Sequence, residues 1–124
     1  MTRAILIAED EESIRDLLSE IFNVPGRYSV ICAKDGEEAL RIAQDQRPDV
    51  ILLDVLLPKL DGQQVCRLVK SNPELANTKV LMMSGMVQQS DIRRAQELGA
   101  DAYIAKPFSS DALVAKVEEL FHQV

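Results

Sequence analysis

Five short apolar runs alternate with five stretches of helical periodicity, and this strict alternation constrains the fold more than any other feature of the chain. Residues 4–8, 28–33, 50–53, 79–83 and 102–105 are short and apolar, as strands buried in a sheet are. After the first run, Ile14, Leu17, Leu18, Ile21 and Phe22 recur at helical spacing, so all five are expected on one inward stripe until Pro25-Gly26 breaks the helix. Asp35-Gly36 turns into a second helix carrying Ala39, Leu40 and Ala43, which ends before Pro48. Gly62 opens a third, with Val65, Leu68 and Val69 inward, stopped near Asn72-Pro73. A fourth, from about Gln88 to Leu98, presents Ile92 and Ala95 and has Gly99 as its C-cap. Ser109 or Ser110 caps the last, whose stripe is Leu113, Val114, Val117, Leu120, Phe121 and Val124. Such alternation predicts an α/β fold, a parallel sheet covered on both faces and joined by right-handed crossovers.

In an open sheet of this kind, ligands bind beyond the carboxyl ends of the strands, where strand order reverses. The first strand runs into Glu9, Asp10, Glu11 and Glu12, and the second into Lys34-Asp35-Gly36, read as an ordinary turn. The third ends in Asp54, the fourth in Ser84-Gly85 and the fifth in Lys106-Pro107. Asp54 is the anomaly, because a core strand ends in a carboxylate where desolvation disfavours the charge. Two carboxylates ~5 Å apart repel by roughly 3 kcal/mol at an effective dielectric near 20. A divalent cation relieves that repulsion. Hard oxygen ligands suit Mg2+, which binds through one or two carboxylates plus phosphate oxygens. Asp54 is then a candidate carboxylate nucleophile toward phosphorus, with Lys106 and the metal offsetting equatorial charge and Ser84 donating a hydrogen bond.

The charge balance narrows the partners. Twenty acidic against 14 basic residues, a net charge of −6, argue against direct nucleic-acid binding and suit metal ions or basic protein surfaces. The 124 residues are expected to form one domain over 1–124, with no linker or repeat. No apolar run approaches the ~20 residues of a membrane span. The N-terminal apolar stretch is too short for a signal peptide, so the expected setting is cytoplasmic. Cys32 and Cys66 lack metal-type spacing and are expected to be buried, reduced thiols. Glu11 and Glu12 read as the acidic first turn of a helix, and Asp61 as a turn residue before Gly62. Met82 and Met83 read as strand core, and His122 as a surface histidine without a phosphotransfer role.

Taken in order, the segments ILIAEDEE, VILLDVLLPKLDG, VLMMSG and DAYIAKPF resemble the receiver domain of bacterial two-component response regulators, the CheY-like superfamily, over essentially all 124 residues. The resemblance, not the spacing, implies a flavodoxin-like (βα)5 doubly wound sheet of order 2-1-3-4-5. It implies a phosphoacceptor switch of a phosphorelay, not an enzyme: such a domain catalyses only its own phosphorylation and dephosphorylation. Asp54 would take a phosphoryl group from the phosphohistidine of a sensor histidine kinase or histidine phosphotransfer protein. Asp10 and Asp54 would bind Mg2+ through side chains, Leu56 through its backbone carbonyl and Glu9 through a bound water. Ser84 would move to the phosphoryl group, Tyr103 would rotate as it does, and Lys106 would pair with that group. Pro107 would belong to the switch through a cis Lys106-Pro107 bond. The face formed by the fourth helix, fifth strand and fifth helix, with Ile92, Arg93, Tyr103 and Lys116 near it, would shift between two states to control a downstream protein. The chain would be a monomer or a phosphorylation-linked dimer, either a stand-alone receiver without an output domain or a piece of a longer regulator.

Some positions depart from the family pattern. Glu9 stands where Asp is more frequent, and Ser84 replaces Thr. Leu56 and Met86 are apolar at positions whose side chains influence attack by water on the acyl phosphate, so a long-lived phosphorylated form is expected. Three other readings remain beside the switch. A Mg2+-dependent phosphatase with an aspartyl nucleophile puts a second acid where Leu56 stands. A flavin binder of the same sheet has a Ser/Thr/Gly phosphate loop where this chain has acids. A receiver-shaped module that is never phosphorylated does not account for the full set of acids, serine and lysine.

Overall fold

A computed structural model of the chain describes residues 2–85 and 89–122. Strands β1 (Arg3–Ala8), β2 (Tyr28–Ala33), β3 (Val50–Asp54), β4 (Lys79–Ser84) and β5 (Ala102–Ala105) form one parallel sheet in the order β2-β1-β3-β4-β5. Helices α1 (Glu12–Ile21), α2 (Gly36–Gln46), α3 (Gly62–Lys70), α4 (Gln89–Glu97) and α5 (Ser110–Phe121) connect or follow them. This is the flavodoxin-like architecture that the resemblance implied, with strand order reversing between β1 and β3. A 3-10 turn at Pro73–Leu75, capped by Asn72, was not foreseen.

Register carries residues to the site. Ala8 is level with Leu53, so the residues that follow, Glu9 and Asp54, emerge side by side at the carboxyl edge. Ser84 is level with Ala105, so Lys106 emerges beside Ser84, and its backbone N–H donates to the Ser84 carbonyl at 2.7 Å.

Each face of the sheet has its own core, because side chains alternate along a strand. Ile5, Ile7, Val50, Leu52, Leu81, Met83 and Ile104 pack under Leu18 and Phe22 of α1 and Leu113, Val117 and Leu120 of α5. Leu6, Ala8, Ile51, Leu53, Val80 and Met82 pack under α2, α3 and Ala95 of α4. A fully buried side chain such as Leu52 or Phe22 contributes roughly 1.5–3 kcal/mol.

Two stripes are narrower than periodicity predicts. Leu17 is 57% exposed and Leu68 44% exposed, although both were expected inward. Each lies about 100° around its helix from a buried neighbour, Leu18 or Val69, which turns it off the contact line. Cys66 takes an inward place on α3, and burial pushes its thiol pKa up to about 11. Cys32 is only half-buried, a correction to the buried expectation, because β2 is an edge strand; its Sγ lies 3.2 Å from Ser19 Oγ. Asp61 is the N-cap of α3 and closes a capping box with Gln64, a more specific role than the turn residue expected. Ser109 caps α5, and His122 is exposed. Met86, Gln88 and Val124 lie outside the described residues.

Candidate functional site

Four charged side chains from three strand ends converge at the reversal point. Glu9, Asp10 and Asp54 each offer a carboxylate oxygen within 4.8 Å of the other two. The Lys106 ammonium bridges the pair, 3.1 Å from Glu9 Oε1 and 3.1 Å from Asp54 Oδ2. Asp54 Oδ1 accepts from the Leu56 N–H at 3.1 Å, and Glu9 Oε2 accepts from the Glu11 N–H, at the start of α1, at 3.2 Å. Glu9 is 1% exposed and Asp54 7%, whereas Asp10 faces solvent.

The electrostatics follow from that packing. Burial pushes the Glu9 carboxyl up to about 7, with the Asp54 charge adding to the rise and the Glu11 N–H and Lys106 only partly offsetting it. Burial alone pulls the Lys106 ammonium down, but the hydrogen bonds and charges of Asp54 and Glu9 outweigh it and hold its pKa above the ordinary lysine value. Three carboxylates facing one ammonium leave an excess of negative charge that a divalent cation matches. Oxygens on an octahedral Mg2+ lie about 2.9 Å apart when adjacent and about 4.2 Å apart when opposite, so the three, now within 4.8 Å of one another, would draw together, or one would act through a water, to share an ion. The donor set therefore fits a hard divalent cation.

The loop between β3 and α3, which carries Leu56, is held from below. The Gly36 N–H donates to the Pro58 carbonyl at 3.1 Å, and the Lys59 ammonium lies 3.5 Å from Asp35. Asp35 also caps α2, accepting from the Glu38 N–H at 2.8 Å. The stretch read as an ordinary turn is thus the platform on which the loop rests. At the far end of the loop, Gly62 packs so closely under Asp54 that an added Cβ would lie 2.1 Å from the Asp54 carbonyl oxygen.

Ser84 is buried at the end of β4, and Tyr103 is half-buried on β5; together they line a small cavity with Asp91 and Ala95 of α4. The Lys106-Pro107 bond is cis, as the resemblance implied. Leu56 is 70% exposed. A larger surface cleft, about 410 Å3, lies between α1 and β2 and contains none of these residues. Arg15 was not singled out from the sequence, and Gly36 was read only as part of an ordinary turn, yet both touch the loops that carry the carboxylates. The available signals were the Asp-Gly step at a helix start and an arginine one turn into the first helix.

The chain belongs to the response regulator receiver domain family, which it matches over residues 5–118. It is 42% identical over 123 residues to the alkaline phosphatase synthesis transcriptional regulatory protein PhoP of Bacillus subtilis, covering 99% of this chain and 50% of that protein. The chain thus spans about half the length of that curated relative. A response regulator structure from Chloroflexus aurantiacus superposes with a TM-score of 0.91 at 32% identity, covering 99% of this chain and 100% of the other. The receiver domain of a sensor histidine kinase from Pseudomonas aeruginosa, solved with a magnesium ion coordinated in its active-site cleft, superposes with a TM-score of 0.88 at 27% identity, covering 99% and 100%. No helix among the described residues is long and apolar enough to cross a membrane.

Proposed function

We propose that this chain is a Mg2+-dependent phosphoacceptor switch whose phosphorylated residue is Asp54. The observation that carries the reading is the Asp54 carboxylate itself. It is buried at a strand mouth, held by Lys106 and the Leu56 N–H, and clustered with Glu9 and Asp10. An Asp54 oxygen attacks phosphorus of a kinase or phosphotransfer-protein phosphohistidine. The new P–O bond replaces the P–N bond, and the imidazole nitrogen leaves with the electron pair. Asp10, Asp54 and the Leu56 carbonyl would hold the metal, with Glu9 acting through water; the cluster of Glu9, Asp10 and Asp54, and the magnesium ion in the active-site cleft of the Pseudomonas relative, support a metal of this kind. Ser84 and Lys106 bind the phosphoryl oxygens, and Ser84, Tyr103 and Pro107 carry the change to the α4-β5-α5 face that meets a downstream protein. The domain acts on no external substrate, works in the cytoplasm and makes no direct contact with nucleic acid.

The test is incubation with acetyl phosphate or phosphoramidate and Mg2+, read by intact mass. One phosphoryl group is gained by the wild type and none by Asp54→Asn, and EDTA blocks the gain. Absence of any gain in Mg2+ overturns the reading.

The exposed Leu56 side chain has no polar atom with which to orient an attacking water. The phosphorylated form is therefore expected to survive for minutes or longer in Mg2+, followed by the decay of the phosphorylated mass; decay within seconds refutes this.

A further inference from the structure

Glu9 and Asp10 directly follow β1 (Arg3–Ala8), and had the strand continued through them their side chains would point to opposite faces. Yet both carboxylates reach the same cluster with Asp54. The chain must therefore bend between them. The bend is visible in the main chain, because the carbonyls of Glu9 and Asp10 converge on a single nitrogen. Arg15 Nη1 donates to the Glu9 carbonyl at 3.0 Å and to the Asp10 carbonyl at 3.0 Å. Arg15 is itself tethered: its backbone N–H bonds the Glu11 carbonyl at 2.9 Å, and its own carbonyl accepts from the Ser19 hydroxyl at 2.8 Å.

We propose that Arg15 is the positioning residue of the cation site, a clamp that holds the bend and so turns both carboxylates toward one ion. This rests on the proposed function, since it concerns how the Mg2+ site is shaped. Arg15 touches neither metal nor phosphoryl group in this account and acts only through the backbone of its two acceptors. A planar guanidinium donating two bonds from one nitrogen suits the task, because its geometry is preset.

The sign of the effect separates this role from simple electrostatics. Loss of a positive charge beside an anionic site, by itself, tightens cation binding. Loss of the clamp weakens it. Mg2+ requires near-ideal octahedral geometry, whereas Ca2+ tolerates displaced ligands, so the loss falls mainly on Mg2+. Arg15→Met, which keeps length and helix propensity, is expected to weaken Mg2+ binding about ten-fold or more, measured by isothermal titration calorimetry. Ca2+ binding is expected to change by less than about three-fold, so the Mg2+/Ca2+ preference falls. Arg15→Lys keeps the charge without the planar fork and is expected to lie between wild type and Arg15→Met. Circular dichroism melting confirms that each variant is folded; should Arg15→Met not fold, Arg15→Lys decides by its Mg2+/Ca2+ preference. Unchanged or tighter Mg2+ binding, with the wild-type preference retained, overturns the clamp alone. A wild-type protein that binds no Mg2+ overturns the metal assignment and the clamp together.

Discussion

Gly36→Ala is expected to destabilise the protein by about 3 kcal/mol or more, the upper end of what overpacking costs. An alanine Cβ there would lie 1.6 Å from the Leu60 carbonyl oxygen and 2.5 Å from its carbon. These are backbone atoms, so neither can swing aside. Gly36 is the first residue of α2, and helix propensity alone makes alanine better than glycine by up to ~1 kcal/mol. The clash and the propensity thus have opposite signs, and the clash is the larger. Urea unfolding midpoints of Gly36→Ala and Gly85→Ala make the comparison, because a Cβ at Gly85 meets nothing within 4 Å. Wild-type stability in Gly36→Ala would mean that the loop does not rest on α2. Because the displaced segment runs from Pro58 to Leu60, Mg2+ affinity is expected to fall as well.

The second large effect is a pH dependence centred on Glu9. Its carboxyl is raised from 4.5 to about 7 in the folded protein, so between those values the folded state binds a proton that the unfolded state has lost. The stability contributed by this group is fully present below pH 4.5 and is lost as pH rises through about 7. Metal-free protein should therefore weaken from pH 5 to pH 8, by at most ~3 kcal/mol from this residue. On the proposed function, a cation beside Glu9 favours its ionised form, so the stabilisation that Mg2+ adds should grow over the same range. Urea midpoints in EDTA and in Mg2+ across that range, for wild type and Glu9→Gln, read both effects. Glu9→Gln should flatten the metal-free slope, since an amide does not titrate. A slope identical in the two proteins would remove Glu9 as its source.

Much of this architecture is readable from local pattern. A run of four apolar residues or a stripe at helical spacing is a property of a few neighbours, and so the five strands and five helices could be placed from their own residues. The carboxylates were legible for the same reason. Asp54 is conspicuous because it follows Val50–Leu53 of β3 directly, and Glu9 and Asp10 because they follow β1. Periodicity erred where burial depends on the neighbour rather than on the helix. Leu17 and Leu68 satisfy the spacing, but α1 and α5 share one face of the sheet while α2, α3 and α4 share the other, and the contact line passes beside them.

Which residues make strands, which make helices and where the acids stand are written locally, because each depends on side chains a few positions apart. Three things required the assembled chain. The β2-β1-β3-β4-β5 order and its register set Glu9 beside Asp54 and Lys106 between them, across separations of 45 and 52 residues. The rise of the Glu9 carboxyl to about 7 comes from burial that only packing creates. The two supports are contacts to backbone carbonyls: Gly36 reaches the loop that carries Leu56 across the chain, and Arg15, though only five and six residues from the carbonyls it binds, meets them because of the bend between Glu9 and Asp10. A carbonyl is common to every residue, so nothing in the identity of its owner announces what will bind it.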